Sequence, residues 1–466
     1  MVDRKQVASP ASLKAMPVFT RRRLQSMLDE LSNQTDLVKL NDIRARLESK
    51  RVEQALPAEM ELGVLWALSK LGELEIEPEW FGNRRPDAYS ECLFPPSPCA
   101  VEITAISDAR LSQEDEMRRI SARLCEFANS VRKGSGKHLH LTFGEERGYT
   151  AAGPIRRRRI DRDFTPNEAT KEVLRNWLVQ DNRRAPLTIG QENTHFVVTW
   201  RDLQQHPMSN FFSSMPAEAY SLEDNPLFEA LTEKKKQLSV PNFEGLRCVI
   251  VADAGARMLR DLNPSMRSPG TVTGSQVISH FLQKSAGAVD AVIVMAPNRE
   301  SNLFNWKKGR RFWRTDLFVR HGLILDKTRV DGLVAQLPRP RFEGYQARSL
   351  QQQAAYRHDA RGWYLGTHII STKTTMTIKV SARALLDLLA DRITMEQFHH
   401  FTGLADKPTQ RNIFAHRLSQ GDVLSDIEIE SGGIDEDDDW LVVHFKHDPA
   451  AAPLKVQDPD SPRCMD

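Results

Sequence analysis

Two carboxylates in the first quarter of the chain combine residue types and spacing that could do chemistry. Asp87 follows Pro86 in FGNRRPD, where Gly, Asn and Pro predict a turn, and Glu102 interrupts the apolar stretch CAVEITAIS. The intervening residues are few enough to form one hairpin. A buried carboxylate is costly without a partner, and neighbouring carboxylates resist ionisation unless a cation lies between them. The pair therefore predicts a site for a hard cation such as Mg²⁺.

The segments around these acids predict the elements that would position them. The stretch ELGVLWALSKLG is an apolar helix that begins at Glu61 and ends near Gly72. Strands are predicted for ELEIEPEW, DAYSECLF and CAVEITAIS, followed by an amphipathic helix in SQEDEMRRISARLCEFANSVRK and a strand in KHLHLTF. This order of helix, three strands, helix and strand is typical of an α/β layer with a helical crossover.

The ordered set Glu61, Pro86-Asp87 and Val101-Glu102-Ile103-Thr104 resembles the PD-(D/E)XK nuclease superfamily, over residues 57–143. The resemblance implies the restriction-endonuclease-like fold, a mixed sheet flanked by helices. It also implies that Asp87 and Glu102 hold Mg²⁺ or Mn²⁺ together with the carbonyl of Ile103, while Glu61 assists. A metal held there could orient a water and stabilise charge on a scissile phosphate.

The chain departs from the superfamily pattern at Thr104, where a lysine is expected. Glu102 and Thr104 are two residues apart on a strand, so their side chains point to one face. A threonine hydroxyl cannot stabilise hydroxide as an ammonium group would. Three interpretations stay open: a cation from elsewhere fills the role, a metal-bound water suffices, or the module is inactive and only binds nucleic acid or assembles a partner complex.

Two later segments offer a lysine that could replace the missing one. Lys234 and Gln237 are three residues apart in FEALTEKKKQL and would share one face of a helix. Lys137, at the start of KHLHLTF, is a weaker candidate. For either lysine alone, ordinary surface charge is the stronger explanation of its presence. A purely structural scaffold, in which the strand acid pairs with Arg85 or Arg118, is a further hypothesis.

Basic clusters predict where phosphate would be contacted, although the net charge is only +2. In the basic segment KKGRRFWR at 307–314, Phe312 and Trp313 interleave with the basic residues, which suits stacking on bases. The run DEDDD at 435–439 predicts a solvated loop or an acidic screen for a basic groove. The predicted nucleic-acid-binding residues are Arg156, Arg157, Arg158, Arg159, Lys307, Lys308, Arg310, Arg311 and Arg314.

Length and composition favour a soluble protein of two or three domains. The chain has 466 residues, of which 40% are hydrophobic and 27% charged. No apolar run is long enough for a membrane helix, and the five scattered cysteines favour a reducing, cytoplasmic setting. Three regions are expected: a helical segment at 1–56, a nuclease-like α/β domain at 57–330 with an insertion or loop region near 144–195, and a C-terminal α/β region at 331–466.

The superfamily resemblance implies an Mg²⁺-dependent endonuclease, with DNA as the favoured substrate. By analogy alone, the resemblance is compatible with defence against foreign DNA beside partner proteins. Enzymes that cut both strands are commonly twofold dimers, so a homodimer is compatible as well. The sequence leaves open whether the substrate is DNA or RNA, how many strands it has, and the oligomeric state.

Overall fold

The computed structural model describes most of the chain. The described ranges are 17–49, 51–81, 84–150, 153–161, 163–180, 185–202, 210–213, 217–240, 243–285, 287–300, 310–356, 364–371, 375–402 and 413–451. None of the helices in these ranges is long and apolar enough to cross a lipid bilayer. The chain divides into a larger compact unit, formed by Met16–Phe19 and Leu24–Tyr356, and a smaller one formed by the remaining residues.

Both helices and strands occur along the chain as far as Tyr356. The helices are α1 (Arg21–Leu31), α2 (Leu37–Leu47), α3 (Val52–Leu71), α4 (Glu114–Val131), α5 (Glu168–Val179), α6 (Pro226–Leu238), α7 (Arg257–Arg260), α8 (Gly274–Lys284), α9 (Lys327–Gln336) and α10 (Gly344–Tyr356). The strands are β1 (Leu74–Ile76), β2 (Ala88–Phe94), β3 (Ser97–Ile106), β4 (Leu139–Phe143), β5 (Glu145–Thr150), β6 (Gly153–Arg158), β7 (Leu187–Gln191), β8 (Thr194–Trp200), β9 (Phe211–Phe212), β10 (Leu246–Asp253), β11 (Ala291–Arg299) and β12 (Arg311–Val319).

A six-stranded mixed sheet of order β1-β2-β3-β10-β11-β12 is the centre of the larger unit. Its inner strands β3, β10 and β11 are parallel, while β2 and β12 are antiparallel to their neighbours. Both faces of the inner strands are buried, which explains their nearly continuous apolar sequences. The expected α/β architecture, with a mixed sheet flanked by helices, is confirmed.

Alternate residues of β3 face different helices. Val101 and Ile103 belong to the core that includes α3, whereas Ala100 and Ile106 belong to the core that includes α6 and α8. The two sets differ because successive strand side chains point to opposite faces of a sheet. Glu102 therefore shares the α6 face with Ala100.

The strand KHLHLTF does not extend the central sheet, as the sequence order had suggested. It forms β4, which lies in a separate four-stranded sheet of order β7-β8-β4-β9. The stretch 144–195, expected to be an insertion or loop region, contains the hairpin β5–β6, helix α5 and strand β7. Apolar side chains of α4 and α5, such as Leu124 and Leu174, bury against this second sheet. The frequent arginines of this stretch concealed that apolar pattern in the sequence.

The smaller unit contains a four-stranded antiparallel sheet of order β13-β14-β16-β15. Its elements are β13 (His368–Ser371), β14 (Thr375–Ser381), α11 (Ala382–Leu389), α12 (Met395–Thr402), α13 (Ile413–Ser419), β15 (Asp422–Glu430) and β16 (Trp440–His447). The acidic run at 435–439, expected to be solvated or to screen a basic groove, instead has structural partners. Arg22 pairs with Asp439 at 2.9 Å, and the side chain of Asp438 is buried and accepts from the backbone N–H of Arg383.

Candidate active site

The first acid of the site lies where β2 begins. The register pairs Ala88 with Val101, so Asp87 stands just before the first paired residue of β2, level with the middle of β3. Its side-chain oxygen Oδ2 accepts a hydrogen bond from the backbone N–H of Ile103 at 2.6 Å. The carboxylate thus accepts the hydrogen bond that a carbonyl of a neighbouring strand would accept at this point of β3. This hydrogen bond orients Asp87 toward Glu102.

The second acid and a lysine complete the cluster. Glu102 is fully buried on the α6 face of the sheet. The ammonium nitrogen of Lys234 lies 2.6 Å from Oε2 of Glu102 and 3.0 Å from Oδ2 of Asp87. Residues 132 positions apart in the chain are thereby joined. Of the open interpretations, the structure supports the first: a cation from elsewhere lies beside the two acids.

Local sequence explains why Lys234 points at the sheet. Asn225 caps the start of helix α6, since its side chain accepts from the backbone N–H of Phe228, and Pro226 occupies the first turn. The buried leucines of α6 are Leu227, Leu231 and Leu238. Lys234 lies three residues after the second of them and four before the third, so it shares their face.

Burial and charge together set the protonation of the cluster. Burial, and then the charge of Asp87, raise the pKa of Glu102 to about 9, although Lys234 opposes this shift. Burial alone would lower the pKa of Lys234, but the two carboxylates outweigh it, so that pKa is raised. The pKa of Glu102 is raised even with Lys234 present, so a further cation at the acids would favour its ionised form.

Glu61 approaches the same cluster from α3. Its carboxylate accepts two hydrogen bonds from the guanidinium of Arg46, at 2.7 and 2.8 Å. Burial raises the pKa of Glu61, Arg46 lowers it, and the nearby charge of Asp87 raises it further. Arg46 also pairs with Asp42 at 2.8 Å on α2. Glu61 is thus held by an arginine that sequence reasoning had not singled out, because only the packing of α2 on α3 brings the two together.

The oxygen atoms of the cluster fit a hard divalent cation. The Oε1 atom of Glu102 is buried and has no hydrogen-bond partner among the described residues. The carbonyl of Ile103 points to the same side of β3 as its N–H, toward Asp87. Within the described ranges, no group of three or more His, Cys, Asp or Glu side chains is placed to hold a metal. The oxygens that could contact a hard cation are therefore limited to two carboxylates and a carbonyl, and such an ion would keep several waters.

Other residues predicted for the site lie farther from its centre. Thr104 is half-buried on β3, two residues beyond Glu102. Gln237 is exposed on α6, and the described hydrogen bonds of the cluster do not involve it. Lys137 is exposed and precedes β4 of the second sheet, so it is not the replacement lysine.

The two arginines proposed as structural partners of Glu102 bind other acids. Arg85 lies 3.3 Å from Glu79, and Arg118 pairs with Glu114 and Asp115 on its own helix. The scaffold hypothesis in that form is wrong, since the cation at Glu102 is a lysine.

The first predicted phosphate-binding stretch is only partly accessible. Arg156 pairs with Glu145 at 2.5 Å. Arg158 is buried and donates to Ser213 and to the carbonyl of Leu111. Arg159 is half-buried, and the side chain of Arg157 lies outside the described part of the structure.

The second stretch is divided in the same way. Lys307 and Lys308 lie outside the described residues, and Arg310 is exposed. Arg311 stacks over the ring of Phe342 at 5.0 Å, and burial lowers its pKa. Arg314 pairs with Asp316 at 2.9 Å. Arg310 is therefore the side chain of this stretch best placed to meet an anion, among those that the structure describes.

Comparison with family models, curated proteins and solved structures finds no match for this chain. Its function is therefore inferred from the site itself, and the restriction-endonuclease-like fold stays a prediction.

Proposed function

We propose that this protein is a metal-dependent nuclease that hydrolyses phosphodiester bonds at Asp87, Glu102 and Lys234. The position of Lys234 carries the proposal, because its ammonium group lies within hydrogen-bond distance of both acids. It occupies the α6 face, the face to which Thr104 and Glu102 point. In this position, Lys234 can act on the same water as the lysine that the superfamily pattern places at position 104.

Each residue of the cluster has a separate role in the proposed reaction. Asp87 and Glu102, with the carbonyl of Ile103, would hold Mg²⁺, which supplies charge stabilisation and an activated water when bound. Lys234 orients that water and stabilises its negative charge as it attacks the phosphorus atom. Glu61, held by Arg46, limits how far the side chain of Asp87 and nearby waters can shift.

Burial explains why these groups would be effective. Glu102 is fully buried, and the side chains of Asp87 and Lys234 are about four-fifths buried. Interactions between charges are stronger where water is excluded, and fixed groups need no reorganisation during the reaction. The open side of the cluster, at Asp87 and Lys234, is where a phosphate would enter.

A nuclease assay tests the proposal directly. Single- and double-stranded DNA and RNA would be incubated with the purified protein in Mg²⁺, Mn²⁺ or EDTA, with Asp87→Asn, Glu102→Gln and Lys234→Met as variants. We expect cutting that needs the metal and is lost in all three variants. Asp253→Asn, which alters another buried acid, is the matched control and should cut normally. Cutting that survives Glu102→Gln would contradict the proposal.

A catalytically inactive module that binds nucleic acid is the second candidate. It is favoured by the small donor set, since Lys234 already satisfies one oxygen of each carboxylate. This candidate predicts binding that weakens with added salt, no cutting with either metal, and no effect of Glu102→Gln on binding. The same variants therefore separate the two functions.

A further inference from the structure

An exposed aromatic group lies beside the candidate active site. Trp80 is 54% exposed although it contacts three other rings. Its ring centroid is 4.9 Å from that of Tyr89, with the planes nearly perpendicular, and 6.3 Å from that of Phe243. Buried Phe81 supports Phe243 from below at 5.1 Å. We call these four residues the aromatic platform.

The strand geometry places the platform on the same face as the catalytic cluster. Tyr89 follows Asp87 by two residues, so both side chains point to one face, roughly 7 Å apart along the chain. Tyr89 also pairs in register with Ala100, which lies on the α6 face with Glu102. The platform therefore continues, through Tyr89, the face of the sheet that carries Asp87 and Glu102.

The platform is held in place before any ligand arrives. The indole N–H of Trp80 donates to Glu75 at 2.7 Å, and the guanidinium of Arg247 lies over the ring of Phe243 at 5.3 Å. Arg84 ties the preceding turn to the end of α6 by donating to the carbonyls of Lys236 and Ser239. A rigid ring loses little conformational freedom on binding, which favours affinity.

Charges of both signs surround the platform. The acids are Glu75, Glu79 and Glu91, and the bases are Arg84, Arg85 and Lys236. General attraction for phosphate therefore does not distinguish this surface from others. What it offers is an exposed indole face, on which any nucleobase can stack. Bases inside a duplex are already stacked on each other, so the ligand must have an unpaired base.

We propose that the aromatic platform stacks an unpaired nucleobase next to the phosphate that Lys234 and a metal at Asp87 and Glu102 would hold, so that single-stranded nucleic acid is the substrate class. This inference rests on the proposed nuclease function. It assigns Trp80 as the residue that selects unpaired over paired strands.

Binding in EDTA tests the platform without cutting. Fluorescent single-stranded DNA and RNA oligonucleotides of one sequence, and the matching duplex, would be titrated with wild type, Trp80→Ala and Trp80→Phe. We expect Trp80→Ala to weaken single-strand binding by about 5- to 150-fold, Trp80→Phe to weaken it less, and duplex binding to change little. Phe212→Ala is the matched control, because Phe212 is equally exposed but lies on β9 of the second sheet.

An abasic site moved along the oligonucleotide locates the contact. At one position, the abasic site should weaken binding to the wild-type protein. The same abasic site should not weaken binding to Trp80→Ala further, because the variant already lacks the stacking contact that the abasic site removes. Equal binding by Trp80→Ala and wild type, or equal sensitivity to every abasic position, would overturn the inference.

Cleavage in Mg²⁺ separates this inference from the proposed function. If Trp80→Ala selectively loses single-strand binding but the wild-type protein does not cut, the role of the aromatic platform is supported and the proposed nuclease function is overturned. If the wild-type protein cuts in a metal-dependent way and Trp80→Ala binds and cuts like the wild type, the nuclease function is supported and the role of the platform is overturned. Absence of both binding and cutting in wild type would overturn both.

Discussion

Two groups of acids lie on or beside strands of the central sheet, yet they differ in what satisfies them. In the first, Glu102 shares Lys234 with Asp87, and its Oε1 atom has no partner among the described residues. In the second, Asp253 at the end of β10 accepts from the backbone N–H groups of Gly255 and Ala256, at 2.8 and 2.6 Å. Asp108, just after β3, accepts from the backbone N–H of Arg257 at 2.9 Å.

The difference shows that burial alone does not identify a functional acid. Ligands of open α/β sheets commonly bind at the carboxyl ends of parallel strands, where Asp108 and Asp253 lie. In this protein those two carboxylates accept hydrogen bonds from backbone N–H groups of the turn that follows β10. Glu102, in the middle of β3, is instead satisfied by a side chain, that of Lys234, which can rearrange when a ligand binds. The first group therefore has the character of a site and the second that of a structural brace.

The largest expected effect is on activity, from removing the lysine of the first group. We expect Lys234→Met to reduce the cleavage rate by about 10²- to 10⁴-fold, the usual contribution of a positioned acid or base. Initial rates at saturating substrate would measure it. Lys235→Met, which changes the adjacent residue of α6, should retain nearly full activity. A small effect of Lys234→Met would leave Lys234 as an ion-pair partner and nothing more.

Stability should respond most to the second group. Asp253→Ala leaves two backbone N–H groups without an acceptor, and we expect a loss of about 2–5 kcal/mol in the free energy of unfolding. Urea unfolding followed by circular dichroism would measure this loss. Asp253→Asn keeps an acceptor oxygen and should lose much less. The rate of cleavage per folded molecule should not change. A fall in this rate would indicate that the second group of acids belongs to the active site.

A smaller effect is expected at the edge of the first group. Arg46→Met removes both hydrogen bonds to Glu61, and we expect activity to fall by about 10- to 100-fold, as when a supporting group beside a metal site is lost. The fall should appear mainly in kcat, because Arg46 does not hold substrate in the proposed reaction. Arg44→Met, an exposed change on the same helix, is the control. A change confined to KM would indicate that Arg46 contacts the substrate instead.

The smallest effect concerns pH and the second group. Burial raises the pKa of Asp108 from its ordinary value of 3.8 to about 7. Between these values the folded state holds more protons than the unfolded state, so this residue stabilises the fold at low pH and its contribution falls as the pH rises. Asp108→Asn should flatten the stability profile in that window by less than about 1.4 kcal/mol per pH unit. Urea unfolding at intervals between about pH 4 and pH 7 would show whether the slope changes.

Much of the central layer could be predicted from local patterns. The apolar stretch of α3 and the short strand signals at β1, β2 and β3 correspond to elements that the structure contains, although the sequence predicted that this helix begins at Glu61 and the structure begins it at Val52. Asp87 and Glu102 were identified because a charge in an apolar strand and an acid after proline are unusual together. The periodicity could not show which sheet β4 would join, since a strand pattern is the same in either sheet.

The sequence by itself determined the elements and the types of chemical group, because side-chain periodicity and turn residues act over a few positions. Only the tertiary structure decided that Lys234, rather than Lys137, lies at Glu102, that Arg46 holds Glu61, and that Trp80 lies beside Asp87. These neighbours come from separate elements, and their contacts depend on which apolar faces pack together. Lys234 reaches the acids because the leucines of α6 bury against β3 and β10, and nothing near Lys234 in the sequence specifies that partner.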